Sequence, residues 1–185
     1  MADVVPVSPF HLTNHEIWVL TAAHGGERGG QVITWVMPGT LVPDYPRVVA
    51  VISTENWTWR LVEASGRFVL NLLREDQAPW LYRFGGLSGR DTDKFAGIEP
   101  GLTPSGLPTL PGTCGWSECV IVSVTDFGDR QVVVADIVAE HFEPGSRPLH
   151  KNEAFGALAP EQRQALSDKR AVDGVRDAAL IKRFR

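Results

Sequence analysis

The chain has 185 residues, 43% of them hydrophobic, with 18 basic against 22 acidic side chains and a net charge of −4. That length suits one domain at roughly 150 residues each; the apolar content supplies a core and excludes disorder, and the charge balance excludes a protein built to coat nucleic acid. The longest apolar run, Val48–Ile52, is far below the roughly 20 residues of a membrane helix. Met1–Phe10 has neither the basic nor the apolar region of a signal peptide. Cys114 and Cys119 are too few for a disulfide scaffold and mis-spaced for CxxC. The expectation is a single domain in a reducing compartment, the cytoplasm.

In chain order, Glu16–Ala23 and Gln31–Met37 read as strands from their period-two, β-branched pattern, with Gly25–Gly30 between them as a flexible hairpin tip. Arg47–Ser53 is a third strand, apolar enough for both faces to be covered. Asn56 is a good N-cap for a helix over Thr58–Ala64, whose Leu61 and Val62 face inward. Arg67–Leu73 is the fourth strand, with Asn71 as its one polar interior residue. Asp76–Phe84 puts Trp80, Leu81 and Phe84 on one buried helix face. Gly97–Trp116, rich in Gly, Pro and Thr, reads as a long irregular crossing. Glu118–Thr125 and Gln131–Glu140 are the fifth and sixth strands, joined by a turn at Asp126–Arg130. Glu161–Ala171 is a late helix with Pro160 in its first turn. The charged end, Ile181–Arg185, reads as a frayed helix or an arm that docks on a partner. Six strands with short helical insertions predict a closed or nearly closed β-barrel with accessory helices.

Several familiar sites are missing. Gly25–Gly30 does not spell GxGxxG and no helix follows it; neither a P-loop nor a GxSxG elbow occurs. His11 and His15 stand four apart but outside HExxH and without a third ligand, so no metal site is expected. The two cysteines read as small structural residues.

Five stretches nevertheless follow one another in a telling order: Gly30–Leu41 (GQVITWVMPGTL), Ser53–Thr58 (STENWT), Arg67–Leu73 (RFVLNLL), Ser88–Gly97 (SGRDTDKFAG) and the Gly128–Asp129 turn. Together they resemble the flavin reductase-like family, the FMN-binding split-barrel proteins that include flavoredoxin, from about Glu16 to Glu140. In that family the first stretch lines the isoalloxazine, with Thr34-Trp35 and Thr40 at the matching places. The second receives the flavin phosphate, and the others match its FxVN(V/I)L strand, its SGRDVDKFxG loop and its GDH turn.

The resemblance implies a mainly β, Greek-key, six-stranded FMN-binding split β-barrel with accessory helices. It implies one domain over residues 1–185, with a core of about 16–140 and a C-terminal extension of about 141–185. Ring contacts are expected from Val32, Ile33, Thr34, Trp35 and Thr40, the phosphate turn from Asn56, Trp57 and Thr58, and charge tuning from Lys94 and Arg130. A helix N-terminus with free N–H groups suits a phosphate. Neighbours on a strand face opposite ways, so only one of Thr34 and Trp35 touches the ring with its side chain, while the strand's backbone can meet the ring edge. Beside these roles stand plainer ones: Asn56 as a simple cap, Trp35 as a core aromatic, Lys94 as a surface lysine. Two departures bear on chemistry. Val42–Pro46 is longer than the family's Asp-Pro-Pro by two residues, and Arg130 replaces the GDH histidine, which in the family faces flavin and nicotinamide. Arginine does no acid–base work near neutral pH but pairs with phosphate or an anionic flavin. Phe155 is a candidate for the aromatic that closes the family's site. The implied activity is that of an FMN-dependent oxidoreductase, with FMN preferred over FAD, NAD(P)H as a possible electron donor, and no general acid or base assigned. The implied assembly is a homodimer that meets a small-molecule or protein electron donor and acceptor, and neither nucleic acid nor membrane. The alternatives are a flavoredoxin-like electron carrier reduced by a protein partner, and a flavin-less interaction module.

Overall fold

The computed structural model describes residues 8–182; Met1–Val7 of the leading segment and Arg183–Arg185 of the charged end lie outside the described residues. β1 (Trp18–His24) and β2 (Glu27–Ile33) form an antiparallel hairpin with His24 opposite Glu27. Its turn is only Gly25-Gly26, at φ 60° and 84°, the left-handed pair that a two-residue hairpin favours. Gly29 and Gly30 are not part of a flexible tip; they are buried within β2. A Cβ on Gly29 would stand 3.0 Å from Leu61 Cδ1, and one on Gly30 2.8 Å from the Phe84 ring. Other elements come so close to this strand that no side chain fits between.

The stretch expected as one strand over Gln31–Met37 breaks at Thr34-Trp35. β2 ends there, and β3 (Val36–Pro38) resumes on a different neighbour, β4 (Arg47–Ser53). With β5 (Arg67–Leu72), β8 (Gly115–Asp126) and β9 (Arg130–Phe142), the antiparallel sheet runs β2-β1-β5-β8-β9-β4-β3. One stretch of chain thus leaves one edge of the sheet and joins the other, which curls the sheet into a split barrel. The crossover is pinned where the Val51 N–H donates to the Trp35 carbonyl at 3.0 Å. The six expected strands are present, and this break makes the sheet seven-stranded.

Leu20, Ile52, Phe68, Leu70 and Val133 fill the barrel, and α1 (Trp57–Ser65) adds Trp59, Leu61 and Val62 to the same core. β4 buries only one face, Val48, Ala50 and Ile52, and leaves the other half-buried. Its apolar run suggested cover on both sides, but α1 packs on β1, β2 and β5 instead. Asn71 is the buried polar residue expected in β5: its amide donates to Val19 O (2.9 Å) and Thr21 Oγ1 (3.1 Å) and accepts from Leu110 N–H (2.8 Å).

A second core of Ile17, Leu73, Leu81, Phe84, Phe95 and Leu149 lies outside the barrel. It is covered by α2 (Pro79–Leu81), which widens into a single π turn over Tyr82–Gly86, and by α3 (Lys151–Ala157). The helix expected from Asp76 starts only at Pro79, because a turn closed by Gln77 N–H on Arg74 O (2.9 Å) occupies the preceding residues. The crossing at Gly97–Trp116 carries a small hairpin, β6 (Gly101–Leu102) with β7 (Pro108–Thr109), and ends where β8 begins. α4 (Pro160–Ala178) starts at Pro160 as expected but continues past Ala171. Asp173 paired with Lys169 and Arg176 one turn to either side extends it.

Candidate functional site

β2 is an edge strand, so half of its backbone groups face away from β1. The Gly30 carbonyl is one of these, because it accepts from Lys94 Nζ at 3.0 Å rather than from β1. Along an antiparallel strand the outward groups recur at every second residue, so the N–H and C=O of Val32 also face outward. The side chain of Val32 packs on Gly85, and that of Ile33 is buried in the barrel core. Val32 therefore presents hydrogen-bonding backbone at the open edge of the sheet, and Ile33 supports the strand from behind. Thr34 is half-buried at the break and Trp35 is 53% exposed, so Trp35 is not a core aromatic.

The N-terminus of α1 lies beside this edge. Asn56 is its N-cap residue, with extended φ and ψ, but its side chain makes no capping hydrogen bond. The amide is left for another partner. Thr58 is buried with its hydroxyl against Gly29, so it contributes to the turn through its backbone. Trp57 is half-buried, with the Arg60 guanidinium 4.5 Å from its ring centre. The 88–95 loop closes over the same helix end: Gly89 packs on Trp57, and Arg90 Nη2 donates to Glu55 O at 3.3 Å. Between loop, helix and β2 is a cavity of about 530 Å³ bordered by Arg28, Gly29, Trp57, Arg90, Lys94 and Phe95, among others.

Lys94 is not a surface lysine. It is 7% exposed, and its ammonium donates to Gly30 O (3.0 Å) and Phe84 O (2.9 Å), tying the outer edge of β2 to the π turn. Burial, with the Lys169 charge in support, lowers its pKa to about 8. Arg130, on the β8–β9 turn, is engaged through Nη1, which lies 2.8 Å from Asp177 Oδ2 on α4 and 3.3 Å from Asp129 Oδ2. Burial alone would raise the Asp177 carboxyl, but the hydrogen bonds from Arg176 and Arg130 outweigh it and hold the pKa below the usual value.

Thr40 stands elsewhere. Its hydroxyl accepts from Val42 N–H at 3.1 Å in the long loop between β3 and β4. It borders a second, mainly apolar cavity of about 530 Å³, to which Trp18, Val36, Met37, Leu72 and Ile137 also contribute. Phe155 is 39% exposed on α3. Both cysteines are buried and unpaired; burial, with Glu118 and Glu140 nearby, pushes the Cys119 thiol up to about 12. Among the described residues no cluster of three His, Cys, Asp or Glu is placed to hold a metal, and no helix is long and apolar enough to cross a membrane.

The model of the flavin reductase like domain matches residues 10–159 of this sequence. The chain belongs to the flavin reductase-like family. Within it, the chain is 36% identical over 91 residues to the reductase subunit HsaB of a flavin-dependent monooxygenase from Mycobacterium tuberculosis, covering 49% of this chain and 47% of HsaB. It spans about half the length of this curated relative. Nitrilotriacetate monooxygenase component B from Mycobacterium thermoresistibile is 30% identical, with a TM-score of 0.66 over 74% of this chain and 73% of that one. An FMN-binding protein from Thermus thermophilus shares the fold at a TM-score of 0.68 and 24% identity, over 80% of this chain and 84% of that one.

The residues singled out from the sequence of this flavin reductase-like chain are thus dispersed. Trp57 and Lys94 border the first cavity, with Asn56 and Thr58 in the adjoining first turn of α1; Val32 lies on the open edge of β2, Ile33 in the barrel core, and Thr34 and Trp35 at the break that follows. Thr40 borders the second cavity, and Arg130 is claimed by α4. Sequence reasoning missed Arg28, Arg90, Arg176 and Asp177. Arg90 was legible within the SGRD loop. The two α4 residues carried no local signal, because their partners are distant in the chain.

Proposed function

We propose that this member of the flavin reductase-like family is a flavin-utilising oxidoreductase that holds FMN along the outer edge of β2, with the phosphate at the N-terminus of α1. One observation carries the reading: the first turn of α1, whose cap amide makes no capping hydrogen bond, opens beside a cavity walled by Trp57, Arg90, Lys94 and Phe95. Asn56 and the first-turn N–H groups of α1 would hold the phosphate, and the Val32 backbone would hold the polar edge of the ring. The bound flavin supplies hydride and electron transfer. The protein's part is to orient it, and Lys94 keeps a positive charge beside the ring edge below about pH 8.

NAD(P)H is the electron donor in this reading, and a partner oxygenase that consumes reduced flavin is the acceptor. The monooxygenase reductase subunit and the monooxygenase component among its relatives support the second point. A homodimer is proposed because the β3 region exposes Trp35, Met37, Leu41 and Tyr45, a patch suited to burial between copies; sedimentation would test it. The protein works in the cytoplasm in this proposal, as one functional unit over residues 1–185.

The test is to mix purified protein with FMN or FAD, separate by gel filtration, and record the absorption of the protein peak. Flavin bands that co-elute, stronger with FMN, are expected. The loaded protein is then mixed anaerobically with NADH and NADPH, and bleaching within seconds is expected. A protein that retains neither flavin refutes the site; a loaded protein that stays oxidised refutes the donor and leaves the flavoredoxin-like carrier. Arg130 at the place of the family's histidine favours that second reading, because arginine does no acid–base work near neutral pH.

A further inference from the structure

The barrel is packed through its middle and open at one end. Trp18, Val36 and Ile137 lie against the barrel core but stay only partly buried, and all three border the second cavity, of about 530 Å³. Leu70 and Val48, 1% and 5% exposed, border it as well, so the cavity reaches from the surface to the core. β1, β3, β4, β5, β8 and β9 each contribute to its wall, which makes it the mouth of the barrel. Small barrels fill their interior with side chains. Here the end is left unfilled, and the Val42–Pro46 segment, two residues longer than its counterpart in the family, adds Val42, Pro43 and Pro46 to the wall. Barrel mouths are recurrent ligand sites, and cavities of about 300–1,000 Å³ hold small molecules.

The polar groups narrow the choice of ligand. Glu16, Thr40, Arg47 and Ser117 border the cavity, and three of them have partners. The Thr40 hydroxyl accepts from Val42 N–H, Arg47 Nε lies 2.6 Å from Asp136 Oδ1, and the Glu16 carboxylate lies 3.7 Å from His150 Nε2. Ser117, opposite Leu70 in the β5–β8 ladder, brings a hydroxyl to a wall otherwise built there of Leu70, Leu72 and Ile137. A charged ligand would lose its hydration against such walls, where Arg47 is already paired and Glu16 repels an anion; burying a charge in that way is costly. An uncharged molecule meets no such cost.

We propose that the open end of the barrel binds an uncharged molecule of one or two rings carrying a single hydroxyl or carbonyl oxygen, with the rings against Trp18, Val36 and Ile137 and the oxygen on the Ser117 hydroxyl. This site is separate from the cavity beside α1 and stands whether or not that cavity takes flavin. Met37 and Leu41 belong both to this wall and to the exposed patch proposed between copies, so a second chain is the competing occupant.

The experiment is equilibrium dialysis of the full chain against 2-naphthol, with naphthalene as the probe that lacks the oxygen, first without flavin and then with excess FMN. One-site binding of 2-naphthol with a Kd on the order of 100 µM or tighter is expected, the same with and without FMN. Ser117→Ala is expected to weaken 2-naphthol about threefold to tenfold and to leave naphthalene within about twofold. Ser117→Phe, which fills the mouth, is expected to abolish binding of both; thermal unfolding checks that each variant folds, and the milder Ser117→Ala serves if this one does not. The site is overturned if 2-naphthol shows no saturable binding, if FMN displaces it, or if Ser117→Ala treats the two probes alike. It is also overturned if binding appears only when dilution separates copies of the chain, which would give the mouth to a second copy.

Discussion

Replacing Lys94 with Met asks what the buried ammonium costs. The variant keeps the length of the side chain but loses its bonds to Gly30 O and Phe84 O, at 3.0 and 2.9 Å. A hydrogen bond to a charged group contributes about 1.5–3 kcal/mol, so losing two argues for about 3–6 kcal/mol of destabilisation. Burial acts the other way: a pKa of about 8 in place of 10.5 penalises the charged form by about 3 kcal/mol. Near neutral pH the two largely cancel, and the expected net loss is about 0–3 kcal/mol. The pH dependence is sharper. The folded pKa lies below the unfolded one, so between about 8 and 10.5 the unfolded chain binds the extra proton and stability rises with pH. Below that window the penalty is fully present; above it the penalty is gone. Lys94→Met lacks this titration, and the other ionisable groups cancel in the comparison. Urea unfolding of both proteins at about pH 7 and about pH 10 should show the unmodified chain gaining about 2–3 kcal/mol relative to the variant. A difference that stays flat across the window would refute the argument that burial sets the charge of this lysine.

Gly30→Ala would put a methyl 2.8 Å from the Phe84 ring, which is held edge-to-face by Trp80 and Phe95; a loss of about 1–3 kcal/mol in chemical denaturation is expected. Gly25→Ala is a different case, since nothing lies within 4 Å and only its φ of 60° opposes a side chain; it should cost about 1 kcal/mol. Asn71→Leu leaves Leu110 N–H without its acceptor and takes a donor from Val19 O and from Thr21 Oγ1, which keeps its bond to Pro108 O; about 1–3 kcal/mol of unfolding free energy should be lost. Cys119, with its thiol pushed up to about 12 and no exposed surface, should resist a thiol reagent at mildly alkaline pH in the native state and react on unfolding; rapid native labelling at this residue would contradict its placement.

The period-two runs located every main strand, and Arg47–Ser53 was bounded at both ends as observed. The turn that opens α1 was legible too, because a strand end, an Asn cap and an apolar helix lie within a few residues of one another. The break at Thr34-Trp35 was not, since a strand that changes neighbours keeps the same alternation on both sides. The burial of Gly29 and Gly30 was hidden for a related reason: a glycine reads as a turn unless the helix and ring that press on it are known. Lys94 and Arg130 carry the same lesson in charge. A lysine in a polar loop reads as solvated, and an arginine in a turn reads as available.

The sequence by itself determined where the chain extends, where it turns, that it closes a barrel and which family it belongs to. The first three follow from backbone sterics and apolar periodicity acting over short windows; the family follows from five motifs in order and from the family model that matches residues 10–159. The tertiary structure alone decided which edge of β2 stays open, that Lys94 caps it, that Thr40 belongs to a second cavity, and that α4 takes Arg130 through Asp177. Each of these is a pairing between residues far apart in the chain, chosen by which surfaces pack together, and no local pattern encodes that choice.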